Sequence, residues 1–161
     1  MDENEVQVTL QSILTDKNII TDASKNIIYS YTESLSNDTN LTILKVTKEI
    51  QFFNQVDDIF NSISTLISKE NLQENVLSIY DGNEVKELSP STISFVKLAI
   101  DKIAESKKIT YEDLLTDKNN EEIVKTTFND LAKALSYFRT INTMGTDASQ
   151  LLYKNVMEGV S

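Results

Sequence analysis

The longest uninterrupted hydrophobic pattern runs from Leu41 to about Lys69, with no Gly or Pro inside it. Ile43, Val46, Ile50, Phe53, Val56, Phe60, Ile63 and Ile67 recur at steps of three and four, the spacing of one helix face. One extra step of three, from Phe53 to Val56, interrupts the heptad. Phe52, Ile59 and Leu66 add a neighbouring stripe. The pattern predicts a central helix over 41–68, roughly 40 Å long at 1.5 Å per residue. So wide an apolar surface suits burial against several other helices, or a dimer seam. Asp57 and Asp58 sit next to the extra step and are expected to face solvent or a partner.

Shorter helices surround it. Asp2 and Glu5 have capping-box spacing ahead of Val6, Leu10, Ile13 and Leu14. Thr21 is placed to cap a helix that aligns Ala23, Ile27, Ile28, Tyr31 and Leu35, and 36–40 is a loop by composition. Ser89 and Pro90 open a helix with Ile93, Val96, Ile100 and Ile103 inward, closed by Lys107 and Lys108. Thr110 with Asp113 repeats the capping box. Val124, Phe128, Leu131, Leu135 and Phe138 mark a further helix, which Gly145 ends. Asp147 and Gln150 are placed to box the last helix, with Leu151, Leu152 and Val156 on its inner side. The expectation is an all-α bundle of about six helices around the long one, as a single domain over 1–161.

Residues 76–88 admit two structures. Asp81-Gly82-Asn83 is a good hairpin loop that would set Ile79 opposite Val85, and a small β-hairpin is marginally favoured. Leu72, Val76, Ile79 and Tyr80 also fit a short helix, with Gly82 just past its C-terminus.

Composition narrows the chemistry. The 161 residues include no Cys and no His, so thiolate and imidazole catalysis, disulfides and ordinary zinc sites are excluded. Three scattered glycines leave no GxGxxG turn or Walker loop. The formal net charge is −10, and Arg139 is the only arginine, which argues against binding a phosphate backbone. Solubility is the simplest account of the charge, and docking to a basic partner is the other. The acidic start MDENEVQ is no signal peptide, and no apolar run approaches about 18 residues, so a cytoplasmic, intracellular protein is expected. The Lys-, Asn- and Ile-rich usage suits an AT-rich genome, such as that of a phage or mobile element. LTDKN occurs at 14–18 and 115–119, each time between helices, as shared linker chemistry and not as a repeat fold.

Motifs for catalysis and metal binding fail individually. The stretches 117–128 and 38–49 lack the Gly, and the first also the final Glu, of an EF-hand loop. Glu84-Val85-Lys86 has the E-x-K form of metal-dependent nucleases without a sheet to carry it. Ser94 and Lys97 form S-x-x-K without its companion motifs. A helix-turn-helix in 110–140 would present Glu121 and Glu122 to phosphates.

No catalytic, cofactor-binding or metal-ligating residue is therefore expected. The leading expectation is a non-catalytic protein–protein interaction module: an adaptor, assembly or regulatory subunit. Its partner would be a protein, including a second copy of this chain, and not a nucleic acid, membrane or small molecule. Candidate contact residues are Asp57 and Asp58, the acidic group Glu112, Asp113, Asp117, Glu121 and Glu122, and Tyr137 with Arg139, residue types enriched at interface hot spots. The alternative is an acidic inhibitor that imitates nucleic acid and blocks a basic cleft. A hydrolase using Glu84 and Lys86 is a third reading.

Overall fold

The computed structural model describes residues 20–36, 46–83 and 88–160. These form seven α-helices: α1 (Asp22–Ser34), α2 (Lys48–Ser68), α3 (Leu72–Tyr80), α4 (Pro90–Lys107), α5 (Tyr111–Thr116), α6 (Glu121–Asn142) and α7 (Thr146–Met157). A 3₁₀ turn, Lys118–Asn120, joins α5 to α6. The fold is an all-α bundle. The expected first helix, over 2–14, lies outside the described residues.

Local chemistry starts the helices where hydroxyls accept the orphan amides of the first turn. Thr21 accepts from the Ser24 amide, Thr47 from Ile50, Ser89 from Thr92 and Thr110 from Asp113. Thr47 explains why α2 begins at Lys48 and not near Leu41. Thr47 is extended, with φ −88° and ψ 167°, and its hydroxyl caps the helix. Of the expected start, 41–45 lies outside the described residues. The 21-residue helix is about 32 Å long at 1.5 Å per residue.

The small hairpin near 76–88 does not form. Residues 72–80 are α3, with Val76 and Ile79 buried. Gly82, at φ 79°, takes the left-handed position that ends the helix. The Asn83 amide donates to the Ser78 carbonyl at 2.8 Å and the Gly82 amide to Ile79 at 3.2 Å, the paired bonds of a Schellman cap. The glycine serves a helix end, and the spacing of Leu72, Val76 and Ile79 outweighs the turn signal. Residues 84–87 lie outside the described residues.

α2 and α6 pack along each other at the centre; α1, α3, α4 and α7 lean on one or both, and the short α5 packs on α3 and α4. Phe52, Phe53, Val56, Ile59, Ile63 and Leu66 of α2 are buried, whereas Phe60 and Ile67 are only partly so. The inward face is thus centred between the two stripes, and both turn toward the chain's own core. An aromatic cluster joins α2, α6 and α7. The Phe52 and Phe138 rings meet edge-to-face with centroids 5.5 Å apart, and Tyr153 lies 5.7 Å from Phe138.

Two smaller expectations shift. In α1, Ser24 is buried and Ala23 exposed, because the inward stripe runs 24, 27, 28, 31. In α7 the inner side is Ser149, Leu152, Tyr153 and Met157. Leu151 stands on the opposite side and is the one large apolar side chain exposed among the described residues, at 62 %. Asp147 and Gln150 do not form a box: Gly145 begins the helix, and the Gln150 amide reaches the Thr47 hydroxyl at 2.8 Å.

Candidate functional site

Asp57 and Asp58 of α2 and Tyr137 and Arg139 of α6 are engaged within the chain. Arg139 Nε donates to Asp57 Oδ1 at 2.9 Å, and its guanidinium lies 4.4 Å above the Phe60 ring. The Asp58 carboxylate sits at the N-terminus of α4, where Ser89 and Thr92 hydroxyls donate to it, the latter at 3.3 Å. An anion there is favoured by the helix dipole as well as by the hydrogen bonds. Tyr137 is buried, its hydroxyl has no hydrogen-bond partner among the described residues, and burial pushes its phenol up to about 12. These four residues hold α2, α4 and α6 together.

The acidic group is arranged differently. Leu114 and Leu115 of α5 and Val124 of α6 are buried and fix the backbone beneath it. Gln73 of α3 donates to the Leu114 and Asp117 carbonyls at 2.9 and 3.0 Å, and Asn120 donates to the Asp113 carbonyl at 3.1 Å. Asp117 Oδ1 accepts from the Asn119 amide at 2.9 Å and so shapes the 3₁₀ turn that links α5 to α6, in the stretch that fails as a calcium loop. On this backing Glu112, Asp113, Asp117, Glu121 and Glu122 are all exposed. None of them joins an ion pair among the described residues. Glu121 and Glu122 begin the 22-residue α6, where negative charge also favours the helix. Among the described residues no three acidic side chains converge closely enough to hold a metal ion. The group is a charged platform spread over a turn and two helix ends.

Beside the platform lies a pair of residues that spacing alone did not single out. The rings of Tyr80, at the end of α3, and Tyr111, at the start of α5, stack with centroids 3.8 Å apart and planes at 25°. The Tyr80 hydroxyl donates to Asp101 Oδ1 at 2.7 Å, and the Tyr111 hydroxyl to Asp81 Oδ1 at 3.1 Å. The bond to Asp101, more than burial, pushes the Tyr80 phenol up to about 12, and the bond to Asp81 raises Tyr111 in the same way. The Lys97 amine lies 5.9 Å from the Tyr80 ring centroid, which is where the lysine of the S-x-x-K match goes. Ser94 is exposed on α4. Glu84 and Lys86 lie outside the described residues. The helical reading of 72–80 was the available signal for Tyr80, since it puts that ring at the end of α3.

Among the described residues no helix is long and apolar enough to cross a membrane. No protein-family model matches the chain, and no curated protein or solved structure is significantly similar to it.

Proposed function

We propose that the protein is a non-catalytic protein-binding module whose working surface is the acidic platform of α5, the 3₁₀ turn and the first turn of α6, and whose partner is a protein with a basic surface. One observation carries the reading: five exposed carboxylates lie between Glu112 and Glu122 on a backbone that the core holds in place, with Lys118 the only cation in that stretch. A fixed patch of one sign accelerates encounter with the opposite sign and rejects like-charged surfaces. The apolar stripes of α2 lie against the chain's own core, and Leu151 is the one large apolar side chain exposed among the described residues.

The test compares three forms of the chain as bait. One is the wild type. The second carries Glu112→Gln, Asp113→Asn, Glu121→Gln and Glu122→Gln. The third has the same net charge, through Asp22→Asn, Glu33→Gln, Asp147→Asn and Glu158→Gln, all at exposed positions on or next to α1 and α7. Loss of the retained protein with the second form alone supports the platform. Equal retention by all three, or equal loss from the second and third, contradicts it.

The nucleic-acid-imitating inhibitor is a narrower form of the same reading. The carboxylates stand apart and do not gather round one point, as substitutes for a row of phosphates must. Release of the retained protein by duplex DNA, and steep weakening with salt, select that form.

A further inference from the structure

The stacked tyrosines have a chemistry that partner binding does not use. The chain has no Cys, Trp or His, so its oxidisable side chains are six tyrosines and three methionines. Tyr31, Tyr137 and Tyr153 are buried, and Tyr29, Tyr80 and Tyr111 reach solvent in part. Of these three, Tyr80 and Tyr111 are in ring-to-ring contact. Each already donates its hydroxyl to a carboxylate, at 2.7 Å and 3.1 Å. A phenol gives up an electron most readily when its proton can leave at the same time, and a carboxylate within hydrogen-bond reach is the acceptor that this requires.

We infer that Tyr80 and Tyr111 form a site of oxidative modification, where a one-electron oxidant joins the two rings through a carbon–carbon bond between positions ortho to the hydroxyls. Each phenol passes one electron to the oxidant and its hydroxyl proton to its aspartate, Asp101 for Tyr80 and Asp81 for Tyr111. The two phenoxyl radicals, held face to face, couple. Each new bond carbon then loses its hydrogen as a proton while the oxygen regains one, and both rings become aromatic again. Two electrons go to two equivalents of oxidant, and two protons go to solvent. The product keeps both hydroxyls and has two hydrogens fewer than the protein. The bond ties the end of α3 to the start of α5 and closes a loop that contains α4, so it restricts the unfolded chain as a disulfide does.

The test exposes the whole chain to photogenerated ruthenium(III) tris-bipyridine with persulfate as electron acceptor. The expected product runs as a monomer on a denaturing gel, shows dityrosine fluorescence, and has lost the mass of two hydrogens. Its proteolytic digest contains residues 80 and 111 in one linked pair, and its thermal midpoint is raised. Tyr29→Phe leaves this product unchanged, whereas Tyr80→Phe and Tyr111→Phe each remove it. Asp101→Asn slows its formation while the rings stay in place, which a merely structural role for that carboxylate would not do. Circular dichroism of each variant confirms the fold before oxidation. Cross-links that join only separate chains, an intramolecular product that survives Tyr111→Phe, or tyrosine oxidation without coupling would each overturn the inference.

Discussion

Arg139 and Asp57, 82 residues apart in sequence, meet at 2.9 Å and join α6 to α2. The pair is open to solvent, with the Asp57 side chain 69 % exposed and that of Arg139 38 %. Its Coulombic share is therefore screened, and a double-mutant cycle on Arg139→Ala and Asp57→Ala should give a coupling below about 1 kcal/mol that shrinks further in high salt. Arg139→Ala alone should cost more than Asp57→Ala, by about 0.5–1 kcal/mol, because it also uncovers the Phe60 ring. Equal losses in denaturant melts would mean that the guanidinium does not pack on Phe60 as described.

Two left-handed residues close helices with the same pair of hydrogen bonds but different side chains. Gly82 does so at φ 79°, and Lys108 does so at φ 58°, where its amide bonds Glu105 and that of Ile109 bonds Ala104. Lys108→Gly should stabilise by about 0.5–1 kcal/mol, since glycine enters that region without Cβ strain. Gly82→Ala should destabilise by about 1 kcal/mol, although the added Cβ would meet nothing within 4 Å, because the strain is in the backbone. Chemical denaturation of the two variants checks the opposite signs.

Tyr137 buries a hydroxyl that has no hydrogen-bond partner among the described residues, and burial raises the phenols of Tyr137 and Tyr153 above their usual range. Removing such a hydroxyl relieves its desolvation, so Tyr137→Phe should be neutral or stabilising by up to about 1 kcal/mol. The raised values also fix a pH dependence. The folded state holds these phenols neutral, whereas the unfolded chain ionises near its ordinary value of about 10, so stability is complete below that pH and falls as pH rises toward 12 and beyond. Tyr137→Phe should flatten part of that fall in a series of melts between neutral and strongly alkaline pH.

What the sequence made legible was local. Thr21, Ser89 and Thr110 announce helix starts because a cap involves only a hydroxyl and an amide three residues on. Phe52, Phe53 and Val56 announce burial through their spacing. Asp81-Gly82 misled because one left-handed glycine suits a hairpin loop and a helix end equally, and only the period of Leu72, Val76 and Ile79 separates them. The same limit hid most of the candidate surface. Five acidic residues close together in sequence were visible as a group. The pairing of Arg139 with Asp57 and the stack of Tyr80 on Tyr111 depend on how helices dock, and no local spacing records it.

The central claim is that the apolar width of α2 is consumed inside one chain and that the working surface is the charged platform. Light scattering over a dilution series, at low and high salt, tests it most directly. The predicted result is the mass of one 18.2 kDa chain at every concentration and in both salts. A dimer or larger assembly that persists at the lowest concentration would contradict the claim and return α2 and the exposed Leu151 face of α7 to the role of an assembly seam.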